Sequence, residues 1–323
     1  MAAEGGTATA ATGRGAIGAV GPELAQLVVV GLWASTFIVT KASFAELSPL
    51  AFTFVRFGLM TLLAFGVLAV RRRGAERGVR RADLGWFALA GLTGYTLYQL
   101  GFVLGLERTS PFSSSLLIAM VPLFTVLILA ILGERTPRRG WIGLAIAVVG
   151  VAVFLGDKRG AEGTLLGDAL SLGAAVAFAS YGVANRPLVA AYPPETYTAY
   201  TTLAGSVPLL AIAAPAAAAQ DWGAVSFAGW VGIVYMTILP VYVAYMLWNW
   251  AIARRGAAAA TSFSLLVPVV SGALSAAIFG EGFGAAKLLG AALVLGGLVV
   301  ARTRGGVGLG ALWRRRPGFK TPG

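Results

Sequence analysis

Long apolar stretches alternate with short polar or basic interruptions along nearly the whole chain. About 20 helical residues cross a hydrocarbon core of about 30 Å. On that ruler the sequence predicts ten membrane-crossing helices, near 24–43, 49–70, 84–106, 111–132, 139–156, 166–185, 194–215, 227–251, 257–279 and 284–302. We number them helix 1 to helix 10. The connections are short, so consecutive helices are expected as neighbours, mostly antiparallel. Residues 1–22, rich in Gly, Ala and Thr, are expected as a disordered tail. Residues 304–323 are expected as a basic cytoplasmic tail. The fold class is an all-α polytopic membrane protein.

Composition agrees with the pattern. The 323 residues are 58% hydrophobic and 12% charged, against about 45–50% and about 25% for an ordinary soluble domain. There is no Cys and no His. Disulfides, thiolate metal sites and thiol nucleophiles are excluded, and the commonest general base and transition-metal ligand is missing. No metal and no cofactor are expected. The net charge of +12 is not read as a nucleic-acid footprint, because the basic residues lie in short runs between apolar segments. With both termini cytoplasmic, nineteen Lys and Arg fall inside, four outside, and Lys41 and Arg56 within helices. That asymmetry is the positive-inside signal, and it supports an even number of helices. The chain is expected in a bacterial inner membrane, with the lipid bilayer and a small-molecule substrate as its partners.

The chain repeats itself. Trp33-Ala34-Ser35 and Lys41 match Phe178-Ala179-Ser180 and Arg186 at an offset of 145. Gly85-Trp86 and Tyr98 match Gly229-Trp230 and Tyr242 at 144, and Pro122 matches Pro268 at 146. Gly133-Glu134, Gly143 and Gly150 match Gly280-Glu281, Gly290 and Gly297 at 147. Each half, 24–156 and 166–303, holds five helices. Five is odd, so the second half enters the membrane from the opposite side. That is the inverted repeat of many secondary transporters.

Polar side chains inside a crossing helix are expected to face protein or a water-filled cavity. Trp33, Thr36 and Thr40 share one face of helix 1; Phe178, Tyr181 and Asn185 are their counterparts in helix 6. Helix 3 presents Tyr95, Tyr98, Gln99 and Phe102. Helix 8 presents Tyr235, Tyr242, Tyr245 and Asn249, with Trp248 adjacent. Helix 9 presents Thr261, Ser264, Pro268, Ser271 and Ser275, a stripe equally suited to helix packing. We take Trp33, Thr36, Thr40, Tyr95, Tyr98, Gln99, Phe178, Tyr181, Asn185, Tyr242, Tyr245, Trp248, Asn249 and Ser264 as candidate substrate-binding residues. Lys41 and Arg56 are candidates for gating or for attracting a carboxylate, with snorkelling the alternative for Lys41. Pro122 and Pro268, expected mid-helix, are candidate hinges, each freeing the carbonyl four residues earlier. Glu134 and Glu281 close helices 4 and 9 as expected cap or salt-bridge residues. No residue is assigned a catalytic role.

The motif Trp33-Ala34-Ser35-Thr36-Phe37 with Lys41, the pair Arg56-Phe57, and Pro122 and Pro268 followed by Leu-Gly-Glu at 132–134 and Phe-Gly-Glu at 279–281 resemble the EamA family of the drug/metabolite transporter superfamily. The resemblance covers roughly 24–303. It implies a substrate pathway lined by helices 1, 3, 4, 6, 8 and 9, and export of amino acids and other small metabolites. The second half departs from the pattern at Thr201, opposite Arg56, and at Phe178, where a Trp is usual. The expected activity is secondary transport: export of small metabolites, amino acids first, by alternating access. The alternatives are a phosphorylated-sugar or nucleotide-sugar carrier and, more remotely, an integral-membrane enzyme.

Overall fold

The computed structural model describes residues 9–71, 78–134, 137–156, 164–255 and 263–301. All regular structure among them is helical. Among the described residues, eight helices are long and apolar enough to cross a membrane: Gly21–Ser43, Pro49–Arg71, Arg81–Arg108, Pro111–Ile131, Arg138–Gly156, Leu165–Ala191, Pro194–Ala219 and Phe227–Ile252. These are helices 1 to 8. Helices 9 and 10 are the shorter apolar segments Leu266–Phe279 and Ala285–Ala301. Helix 1 begins before its crossing part, running unbroken from Thr9 to Ser43 through Pro22. Residues 9–22, expected as tail, are therefore helical, since extending an existing helix adds one hydrogen bond per residue ordered. Residues 1–8, 302–323 and the beginning of helix 9 as expected from the pattern, Thr261 included, lie outside the described residues.

Local chemistry sets the helix ends. The side chains of Ser110, Thr164 and Ser226 accept from the backbone N–H three residues on, capping helices 4, 6 and 8. Gly133 and Gly280, at φ 84° and 67°, take the left-handed conformation that ends helices 4 and 9. That turn is why the two Gly-Glu pairs sit at helix ends and not inside them.

Among the described residues, helical regularity breaks at matched places of the two halves. Helices 3 and 8 each contain a π-helical turn, Leu92–Leu97 and Leu239–Val243. Helix 4 breaks into Pro111–Ile118 and Val121–Ile131 at Ala119–Met120. The chain turns at Ser264–Leu265 before helix 9 begins. The two expected mid-helix prolines thus lie at the start of helical segments: Pro122 is the second residue after its break and Pro268 the third residue of Leu266–Phe279. A missing N–H costs nothing in the first turn of a helix, so the break relocates each proline to where it is tolerated. Pro122 also faces outward, away from the interior, while Pro268 is buried.

Helix 5 packs on helix 10 and helix 2 on helix 7, in each case a helix on its own counterpart. Helix 3 packs on helix 6 as helix 8 packs on helix 1, and helix 4 on helix 6 as helix 9 on helix 1. Lipid gives no hydrophobic drive between helices, so small residues that permit close approach do the joining. A Cβ on Gly143 would stand 2.4 Å from the carbonyl oxygen of Gly297, and one on Gly290 2.5 Å from the nitrogen of Phe154. Gly143 meets the end of helix 10 while Gly150 meets its middle at Val294, so the two counterparts run antiparallel. Gly101 and Gly105 bring helix 3 against Leu170 and Gly167 of helix 6 in the same way. Two copies of a five-helix unit, inverted with respect to one another, follow from these contacts.

Candidate functional site

Crossing the repeat places the aromatic residue of each first helix against the third helix of the other half. The Trp33 ring lies 5.8 Å from Tyr245 and 4.9 Å from Trp248 of helix 8. Its counterpart Phe178 lies 4.9 Å from Tyr98 of helix 3 and 5.4 Å from Tyr181. Tyr95 meets Tyr181 edge-on at 5.9 Å. Arg56, bonded to Met236 of helix 8 and to Gln99 of helix 3, links this aromatic group to the one around Trp33. Tyr245 has Trp33 against its ring, yet it stays 47% exposed. Large aromatic rings with polar tips suit a surface that is apolar along its body and wet at one end.

Arg56 is 8% exposed. Its Nε donates to the carbonyl of Met236 at 3.3 Å and its Nη1 to the Gln99 side-chain oxygen at 3.4 Å. Phe57 offers a ring face 5.4 Å from the guanidinium carbon. Arg56 makes no ion pair with any carboxylate among the described residues. The Met236 carbonyl is available because Pro240, four residues on, has no N–H to give it. The same π turn frees the carbonyl of Pro240 itself, which accepts the Trp33 indole N–H at 3.3 Å. One irregular turn of helix 8 is thus completed by side chains from helices 1 and 2. Gln99, 1% exposed, keeps its NH2 end without a partner.

Lys41 occupies the end of helix 1. Its amine donates to the carbonyls of Leu106, Glu107 and Thr109 at 2.8, 2.9 and 3.0 Å. Those bonds use all three donors of an ammonium and satisfy the orphan carbonyls at the end of helix 3. Thr36 donates to Trp33 O at 2.6 Å. Thr40 is fully buried and its hydroxyl has no partner. The Asn185 NH2 donates to the Tyr181 hydroxyl at 3.2 Å, beside the aromatic cluster. Ser271 and Ser275 of the helix 9 stripe sit in dry contacts, with Pro111 O at 3.3 Å and Glu281 at 2.5 Å. Ser264 is half-buried at the turn that precedes helix 9, and Asn249 is exposed near the far end of helix 8. Neither Asn249 nor Ser264 has a described ring contact with the aromatic cluster.

The structure therefore brings together Trp33, Tyr95, Tyr98, Gln99, Phe178, Tyr181, Asn185, Tyr245, Trp248 and Arg56, while Tyr242 lies half-buried in the π turn of helix 8. The sequence pattern passes over Pro240 and the two π turns, although they organise the site. A proline inside an apolar run is a readable signal of freed carbonyls; a π turn has no comparable mark. At the position matched to Arg56, Thr201 is buried and donates to its own helix at Tyr197 O, so the site is asymmetric.

Comparison with known proteins adds an independent line. The EamA-like transporter family matches residues 22–156 and again 165–303. A probable terminal-alkyne amino-acid exporter of Streptantibioticus cattleyicolor is 31% identical over 303 residues, 93% of this chain and 97% of that protein. A probable amino-acid metabolite efflux pump of Escherichia coli is 25% identical over 288 residues, covering 86% of this chain and 93% of its own. A solved crystal structure at 24% identity superposes with a TM-score of 0.55, covering 87% of this chain and 96% of the other.

Proposed function

The chain belongs to the EamA-like transporter family, a multi-pass membrane transporter of small molecules, and from that premise we propose that it exports amino acids by alternating access. One observation carries the reading: a buried arginine that has no carboxylate partner among the described residues and is bonded to Gln99, next in sequence to the Tyr98 ring that meets Phe178. A lone buried cation favours an anionic group, and the rings offer an apolar, partly wet surface to a side chain. One five-helix half moves against the other. The amino-acid names carried by the relatives support the same substrate class. A sugar-phosphate carrier needs several cationic groups at this depth, and Lys41 is committed to backbone carbonyls. An enzyme is disfavoured by a chain with neither Cys nor His. Both termini are placed in the cytoplasm of a bacterial inner membrane on the charge asymmetry.

The test is purified protein in proteoliposomes, scanned with radiolabelled amino acids against sugar phosphates. Amino-acid flux lost in Arg56→Gln and kept in part by Arg56→Lys supports the proposal. Flux of phosphorylated sugars alone overturns it.

A further inference from the structure

The two ends of the bundle carry the same charged pair in different states. Lys41 and Arg186 are counterparts at an offset of 145, and Glu134 and Glu281 at 147. At one end, Arg186 Nη1 and Glu134 Oε1 form an ion pair at 2.9 Å, about three-quarters buried on both sides, joining the end of helix 6 to that of helix 4. At the other end, helix 1 packs on helix 9, and Lys41 and Glu281 both reach the connection between helices 3 and 4. They form no ion pair with each other. Lys41 holds the carbonyl of Thr109, while Glu281 accepts from Ser110 at 2.5 Å, from Ser275 at 2.5 Å and from Lys287 at 2.8 Å. The Thr109–Ser110 connection is thus clasped from both sides and stands between them. Helix 4 spans 21 residues, about 30 Å at helical rise, so the engaged and the parted pair lie at opposite ends.

In an inverted repeat, the outward-open and inward-open states arise by exchanging the conformations of the two halves. The same exchange applied to these residues parts Arg186 from Glu134 and closes Lys41 on Glu281. We infer that Arg186–Glu134 and Lys41–Glu281 are reciprocal latches, one closed whenever the other is open, so that the described state is sealed at the Glu134 end. The inference rests on the alternating-access reading above but not on the identity of the substrate. A pair that keeps about a quarter of each side chain exposed is a suitable latch: solvent screening keeps its net stabilisation small, so it biases a conformational equilibrium without freezing it.

The chain lacks Cys, so reporter pairs are placed on exposed neighbours that leave the charges intact. Ala42→Cys with Ala285→Cys reads one end, and Leu132→Cys with Ala190→Cys the other. Spin-label distances are measured by pulsed electron resonance in nanodiscs. Glu134→Gln is expected to lengthen the 132–190 distance and shorten the 42–285 distance, changing the population ratio about fivefold. Lys287→Gln, which takes from Glu281 the cation it holds in the described arrangement, is expected to move both distances in the same sense as Glu134→Gln. If Glu134→Gln does not fold, Glu134→Asp carries the same test with a shorter arm. Distances that stay put in both variants, or that shift in the same sense at both ends, overturn the inference, whatever the melting temperature does. The distances are read without substrate. Alternation with no amino-acid flux therefore sinks the proposed substrate and leaves the latches standing.

Discussion

Ser206 of helix 7 donates its hydroxyl to that of Thr61 of helix 2 at 2.9 Å, the Thr61 proton being given to the Phe57 carbonyl at 2.8 Å, and the two are the same position of the two halves, 145 residues apart. A residue touching its own counterpart lies on the pseudo-two-fold axis. Helices 2 and 7 run antiparallel about this point, with Phe65 meeting Tyr200 on one side and Phe57 packing against Leu209 on the other. We expect Thr61→Val and Ser206→Ala each to cost about 0.6 kcal/mol, the average for an interhelical hydrogen bond in membranes. The double variant should cost little more than either single one, because both remove one bond. Denaturation in mixed micelles measures the cycle, and full additivity would show that the bond does not form.

Gln99 separates a structural from a functional role for Arg56. Gln99→Leu deletes the acceptor at 3.4 Å and leaves a buried guanidinium short of a partner, a loss of about 1.5–3 kcal/mol for a bond to a charged group. The melting temperature should fall along with transport. Gln99→Glu should keep or raise the melting temperature while abolishing amino-acid flux, because a built-in carboxylate takes the place of the substrate's. Flux retained in Gln99→Glu removes Arg56 from the site.

Trp33→Phe makes helix 1 resemble helix 6, where Phe178 already stands. It removes the indole bond to Pro240 O at 3.3 Å but keeps an aromatic ring against Tyr245 and Trp248. The expected loss is about 1 kcal/mol of stability with transport retained. Trp33→Ala should lose transport, since it also deletes the ring. Equal transport in the two variants would show that the ring has no part in the pathway.

The glycine seam between helices 5 and 10 gives a packing test with an internal control. A Cβ on Gly143 would meet the backbone of Gly297 at 2.4 Å, whereas one on Gly296 meets nothing within 4 Å. Gly143→Ala should cost at least the ~1–3 kcal/mol typical of overpacking, because backbone cannot give way as a side chain does. Gly296→Ala should be neutral or slightly stabilising. Folded yield after detergent extraction distinguishes them.

Single cysteines in this Cys-free chain test the orientation. With the termini cytoplasmic, labelling from outside should modify positions in 157–165 and spare 71–83. The reverse pattern overturns the charge-based orientation.

The ten apolar helices, their duplication and the odd count per half were legible in the sequence because lipid imposes one-dimensional rules. Each backbone must satisfy itself within its own helix, and a crossing helix must be long and apolar. Matched residues such as Gly143 with Gly290 and Gly133 with Gly280 could be read because only glycine tolerates a 2.4 Å approach or a φ of 84°. The polar stripes of helices 1, 3 and 6 lie buried or half-buried, whereas Tyr245 and Asn249 of the helix 8 stripe stand exposed. What tertiary structure alone decided is who completes whom. Trp33 crosses the repeat to helix 8, not to its neighbours in the first half. Arg56 ends on a carbonyl 180 residues away that Pro240 has freed. Lys41 and Arg186, equivalent by sequence, hold a backbone terminus and a carboxylate respectively. Those choices depend on packing between segments distant along the chain and on which of two exchangeable halves is in which conformation. A periodic pattern assigns a residue to a helix face, but the partner on that face is set only when ten helices close around it.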